Sequence, residues 1–219
     1  MSRDDKLKTY LTEEDVKELI QKAACLRDEI IIRLLFYTGC KVSELLNIKI
    51  ANIDFNQGHI VVKYRKSLAR RECPSCGKKA SSITHYCPGC GEKMQASNPK
   101  EVHRCRTLPL KGATASMVRD YLDRRSVQSD LLIPLCRQYV DIVIKNAAYN
   151  AGFGGKLLFN PEGKGLMHHV SAQTLREAHN ICFLKMPTPK QQKALQQQLG
   201  HVTFGTTKRY IKRALHWSK

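Results

Sequence analysis

Two copies of one short motif constrain the middle of this chain more than any other feature. In Cys73-Pro-Ser-Cys76-Gly and Cys87-Pro-Gly-Cys90-Gly, ten residues separate Cys76 from Cys87. Two such turns can bring four thiolates into a tetrahedron, the arrangement a structural zinc ion takes. The Gly after each pair lets the backbone turn sharply. Four thiolates leave no open position for water, so Cys73, Cys76, Cys87 and Cys90 are expected to hold a structural Zn2+, with no metal needed for catalysis. Such a metal lets a segment fold that has little apolar material of its own. The alternative is a redox dithiol, which would need one reactive pair beside a βαβ unit, whereas here two equal pairs face each other. His85 is read as a bystander because the cysteines already fill the site. Lys78, Lys79 and Lys93 leave two uses open for the segment: a stabilised insertion, or a surface that touches DNA or a partner.

Around this segment the periodicity is mostly helical. Thr12 is placed to cap a helix with Asp15 reaching back, and Val16, Leu19, Ile20 and Ala23 share one face. Residues 28–38 are apolar nearly all round, which marks a buried central helix, ended by Gly39. Ser43 and Glu44 open a short helix through Leu46. Ile53 and Phe55, the turn Asn56-Gln57-Gly58 and the β-rich run His59–Tyr64 predict strand, turn and strand. The cysteine module, 67–101, interrupts the sheet. A third strand follows at about Val102–Leu108, ended by Pro109. Helices are expected around Met117–Leu122 and Tyr139–Ala147. A loop covers 154–169, with a short strand at 157–159. Further helices run over 172–184, from Pro187 and Pro189 to Leu199, and over 206–217. The fold class is α+β, mainly helical, with a small antiparallel sheet.

The charge narrows the partners. Lys and Arg number 37 against 19 Asp and Glu, a net +18 over 219 residues. Such an excess suits nucleic acid, since phosphate contacts release counterions and so drive binding. A basic solvated surface without a partner is the alternative. Membrane attachment is not expected, because the sequence holds no apolar run of spanning length, no signal peptide and no lipidation motif. The five scattered cysteines (Cys25, Cys40, Cys105, Cys136, Cys182) read as reduced, buried thiols, which suggests a cytoplasmic, nucleoid-associated protein.

Three motifs resemble those of the tyrosine recombinase (phage integrase) family. Leu34-Leu35-Phe36-Tyr37-Thr38-Gly39-Cys40-Lys41-Val42-Ser43-Glu44-Leu45-Leu46 is similar to its first signature, an apolar helix, Thr-Gly, a variable residue, Arg and a Ser-Glu-Leu helix start. Gln173-Thr174-Leu175-Arg176 stands in the place of the His-x-Leu-Arg box. Leu199-Gly200-His201 followed by Thr206-Thr207-Lys208-Arg209-Tyr210 resembles the last signature. The resemblance runs from about Leu11 to Tyr210, outside the cysteine insertion. It implies a catalytic domain over 1–219 with the zinc ribbon 67–101 inserted in it. It also implies a site-specific recombinase or integrase of a mobile element, acting on double-stranded DNA as a homo-oligomer. Family members usually carry an N-terminal helical domain that clamps the other face of DNA, so the resemblance implies that this chain is the catalytic part, either a piece of a longer protein or a minimal protein that binds more weakly or needs a partner.

The resemblance also assigns roles. Tyr210 is the nucleophile that forms a 3′-phosphotyrosyl link, and a second DNA hydroxyl can reverse that step without ATP. Arg176 forks onto two phosphoryl oxygens. His201 hydrogen-bonds the phosphate or assists proton transfer. A hairpin lysine protonates the leaving 5′ oxygen; Lys66 matches best, with Lys63 and Arg106 as alternatives. Lys41 stands where the first Arg belongs and keeps the charge without the planar fork. Gln173 stands where His or Lys belongs and can donate a hydrogen bond but carry no proton; His168 and His169 are near enough in sequence to compensate. These departures support a second reading, a catalytically impaired DNA-binding relative acting as an accessory or regulatory factor. A zinc-ribbon adaptor for proteins would explain the cysteines alone.

Overall fold

The structure, a computed structural model, describes residues 10–66, 70–81, 84–94, 102–110, 112–153, 156–158, 167–183, 188–200, 204–208 and 211. It contains two compact units: Met1–Val62 with Arg106–Lys219, and Lys63–Cys105.

The larger unit begins with α1 (Glu13–Gln21), which starts where a reciprocal cap forms. The Thr12 N–H donates to Asp15 Oδ2 at 2.9 Å and the Asp15 N–H to Thr12 Oγ1 at 3.2 Å. α2 (Leu26–Thr38) buries Ile30, Ile31, Ile32, Leu34, Leu35 and Phe36, as an all-round apolar helix must. It lies against α1, α3 (Val42–Leu45), α4 (Ala113–Arg124), α5 (Arg137–Asn150) and α6 (Ala172–Phe183). Its apolar side chains run into one core with Leu45, Val118, Val140, Ile144 and Leu175. Ile181, Leu195, Leu199 and Ile211 form a second cluster, with α7 (Pro189–Leu199) as its main element.

β1 (Ile53–Asp54) pairs antiparallel with β2 (His59–Lys66), Ile53 opposite Ile60 and Asp54 opposite His59. Asp54 Oδ1 accepts from the Asn56 and Gln57 N–H groups, and Gly58 takes a positive φ of 66°, which closes the turn. The sheet order is β1-β2-β5, counting β3 (Arg70–Glu72) and β4 (Lys79–Ser81) before β5 (Val102–Pro109). Among the described residues no helix is long and apolar enough to cross a membrane.

Several expectations need correction. The stretch read as a loop contains a hairpin, β6 (Lys156–Leu158) antiparallel to β7 (Met167–His169). A three-residue Met-His-His strand shows no alternation by itself; its partner creates it. α7 is started by Thr188, whose hydroxyl accepts from the Gln191 N–H while Gln191 reaches back, with Pro189 in the first turn. Pro187, Phe159 and Leu184 lie outside the described residues. The last helix is already formed over 204–208. All nine cysteines are free, but of the five scattered ones only Cys40 is buried. Cys25 and Cys136 stand at the surface because they are the N-cap residues of α2 and α5, and Cys105 is an exposed strand residue.

The unit Lys63–Cys105 has a core of only Cys73, Ala80, Cys87 and Met94 among its described residues. β3 and β4 pair antiparallel through Arg71 and Ala80. The two knuckles repeat one hydrogen-bond pattern. The Cys73 N–H donates to the Lys78 carbonyl and the Gly77 N–H to that of Cys73; Cys87, Glu92 and Gly91 do the same. Gly77 and Gly91 have φ of 67° and 74°, a backbone conformation that costs glycine little.

Candidate active site and metal centre

The Thr-Gly turn at the end of α2 is a close-packed joint. Thr38 Oγ1 donates to the Leu34 carbonyl at 2.6 Å and accepts from the Cys40 N–H at 3.2 Å. Gly39 has φ 63°, and a Cβ there would lie 2.5 Å from His179 Cδ2 and 3.1 Å from Leu199 Cδ2. Only glycine lets α6 and α7 approach this turn. His179 is buried and hydrogen-bonds the Phe36 backbone; burial, helped by the Arg176 charge, pushes its pKa down to about 4.

Past this joint the chain opens α3, and its third residue, Glu44, becomes the hub of the site. Glu44 is 3% exposed. Its Oε2 accepts from the Lys41 N–H at 2.7 Å and from Arg106 Nη2 at 2.6 Å, and lies 4.0 Å from Arg176 Nη1. Arg176 is buried on α6 and donates from Nη2 to the Leu199 carbonyl at 2.8 Å. One carboxylate therefore ties together the start of α3, strand β5 and helix α6. With two guanidiniums and one carboxylate, the cluster keeps a net positive charge suited to an anion.

A cleft of about 460 Å³ opens beside this cluster. Lys41, Ser43, Gln173 and Arg176 line it, together with Arg137, Asp141 and Lys145 of α5. The structure thus brings Lys41, Gln173 and Arg176 to one cavity. Lys41 is exposed. Gln173 is also exposed and donates from Nε2 to Glu177 Oε1 at 3.0 Å, so Glu177 partners Gln173. Cys40, on the floor, is an inert thiol, pushed up to about 11 by burial.

The other expected site residues fall elsewhere. Tyr210 and His201 lie outside the described residues. Lys66 ends strand β2, and its side chain is also outside them. Lys63 is an exposed residue of the same strand. Arg106 is unsuited to being a general acid: it is buried, always charged and held by Glu44. His169 is an exposed β7 residue opposite Lys156; the His168 side chain is not described.

Sequence reasoning saw Glu44 only as a helix opener and, while placing the helix α5, missed its polar face as part of the site. Arg137, Asp141 and Lys145 recur every four residues, while Val140, Ile144 and Ala147 are buried. That spacing puts the three polar residues on one helix face, the available signal for them.

The four paired cysteines converge. All their sulfurs lie within 4.8 Å of one another, with Cys73–Cys90 and Cys76–Cys87 at 3.5 Å. Backbone N–H groups of Cys90 and Gly89 pull Cys87 down to about 6, and that of Cys76 lowers Cys73. Cys90, despite the Glu92 N–H, is held up to about 12 by the sulfurs around it. Four crowded sulfurs of which two favour the thiolate are a donor set for a thiophilic tetrahedral ion such as zinc.

Comparisons with known proteins bear on the family and the fold. The model of the phage integrase family matches residues 9–216. Tyrosine recombinase XerA of Pyrococcus horikoshii is 25% identical over 202 residues, covering 92% of this chain and 56% of that protein. XerA of Thermococcus kodakarensis is 28% identical over 207 residues, covering 92% and 57%. The chain therefore spans about half the length of these curated relatives. Among solved structures, that of XerA recombinase superposes with a TM-score of 0.64 at 20% identity, over 97% of this chain and 64% of the other. A lambda integrase dimer bound to a core site gives 0.55 at 16%, over 95% and 49%.

Proposed function

The chain belongs to the phage integrase family, and from that premise we propose that it is the catalytic domain of a site-specific DNA recombinase. It cleaves and rejoins double-stranded DNA through a 3′-phosphotyrosyl intermediate and works as a homo-oligomer on paired duplexes. The observation that carries this reading is the meeting of Lys41, Gln173 and Arg176, from two distant motifs, at one cationic cleft.

In the proposed step the Tyr210 oxygen attacks phosphorus as its phenolic proton passes to His201, and the 5′ oxygen leaves with a proton from Lys66. Arg176 and Lys41 neutralise the phosphoryl oxygens as charge redistributes, and His201 and Gln173 donate hydrogen bonds to them. Energy stays in the phosphotyrosyl bond, so a second 5′ hydroxyl completes strand transfer. Cys73, Cys76, Cys87 and Cys90 hold a structural Zn2+, which supplies folding energy to its unit and no chemistry to the reaction. A nicked duplex carrying the protein's site should trap a covalent adduct with wild type and none with Tyr210→Phe. An adduct that survives this substitution would remove the assignment.

The side chain of Gln173 on Glu177 and the lysine at position 41 support a second reading, a slow or inactive DNA-binding relative. Lys41→Arg separates the two. Under the first reading it speeds cleavage and leaves DNA binding intact, because the planar fork returns. A protein that binds DNA but never forms the adduct, with or without this substitution, fits the second.

A further inference from the structure

We infer that the cysteine knuckles of the metal-binding unit, through Lys78, Lys79 and Lys93, are a second DNA-contacting surface that grips the phosphate backbone in addition to the contact made where the strand is cleaved. This deepens the recombinase reading and rests on it. Lys63–Cys105 carries ten Lys and Arg against three Glu, so 43 of 219 residues hold +7 of the chain's +18. Four thiolates on a divalent ion take back two charges, which still leaves about +5.

The placement of the charges matters as much as their number. Lys78, Lys79 and Lys93 are all exposed. Lys78 belongs to the first knuckle, yet its side chain crosses to the second: a Cβ on Gly89 would meet Lys78 Cδ at 2.7 Å. Lys93 stands opposite Tyr86 in an antiparallel bridge, and Tyr86 is 60% exposed. Lys79 begins β4 and faces Glu72 at 3.1 Å, both well exposed. These cations sit on tight turns and short strands, so little backbone freedom is lost when they meet a phosphate. Lysine and tyrosine are backbone-contacting side chains.

The same residues argue against a protein partner. Among the described residues of this unit, Tyr86 is the sole large apolar side chain at the surface. Its buried cluster among the described residues is four residues, Cys73, Ala80, Cys87 and Met94.

The test uses the full chain loaded with zinc, a duplex of generic sequence, and binding measured across a salt series. The variant is Lys78→Glu, Lys79→Glu and Lys93→Glu together. Zinc content and thermal unfolding are measured alongside; if that variant loses zinc, the triple glutamine variant replaces it. Log affinity against log salt should become shallower by roughly 2 to 3, and the backbone footprint on DNA should shorten. Cleavage of a nicked site at saturating protein should be retained. An unchanged slope and footprint in a zinc-loaded variant overturns the inference while leaving the recombinase reading intact. Loss of self-association with DNA binding unchanged overturns it in favour of a protein contact. A wild type without DNA affinity at low salt sinks both.

Discussion

Replacing Arg106 by Met tests how the candidate site keeps its charge. Glu44 and Arg106 have side chains 3% and 6% exposed, joined at 2.6 Å. Without the guanidinium, the carboxylate retains the Lys41 N–H, and the nearest remaining cation is Arg176 Nη1 at 4.0 Å. Breaking a buried pair by removing one partner costs ~3–5 kcal/mol, since the other charge is left uncompensated. Arg176 can close on Glu44 and recover part of that, so the expected loss is at the lower end, about 3 kcal/mol. Closure has a functional consequence: the guanidinium proposed to bind phosphate becomes locked on a carboxylate. Urea unfolding should therefore show the stability loss, and single-turnover cleavage of a nicked duplex should slow with noncovalent binding largely kept. Adding Glu44→Gln removes both charges of the pair and should return most of the stability, because replacing a whole buried pair is often neutral. Wild-type stability in Arg106→Met, or a double variant no more stable than the single one, would refute the reasoning.

Three further outcomes are expected. Gly39→Ala combines a positive φ with a Cβ 2.5 Å from the His179 ring, and should cost roughly 2–4 kcal/mol in urea unfolding; an unchanged midpoint contradicts the packing described. His179 has its pKa depressed from 6.5 to about 4, so the unfolded chain binds its proton first as pH falls. Its contribution is complete above pH 6.5 and is lost on descending to pH 4, about 3 kcal/mol in all; His179→Gln should flatten that part of the pH profile, and an identical slope argues against a buried neutral ring. Chelating the metal that we propose for Cys73, Cys76, Cys87 and Cys90 should expose these thiols to thiol reagents and abolish amide protection within 70–94, with α2 still protected. Uniform loss of protection would show that the two units do not fold separately.

The elements carried by local rules were legible in the chain itself. The Thr12–Asp15 cap, the mostly apolar α2, the αL glycine after it and the Asn-Gln-Gly turn each depend on neighbours a few residues apart. The paired cysteines were equally plain, since two tight turns suffice to bring four sulfurs within 4.8 Å of one another. What the residues could not reveal is who meets whom across long separations. A carboxylate three residues into a helix has the same local pattern whether it faces water or two buried guanidiniums, and only packing of β5 and α6 around α3 made Glu44 a hub. The same packing removed Arg106 from the candidate acids, turned one face of α5 into the cleft wall and gave β6 a partner in β7. Local conformational preference is written along the chain, whereas burial and charge pairing are decided by tertiary neighbours that no short window contains.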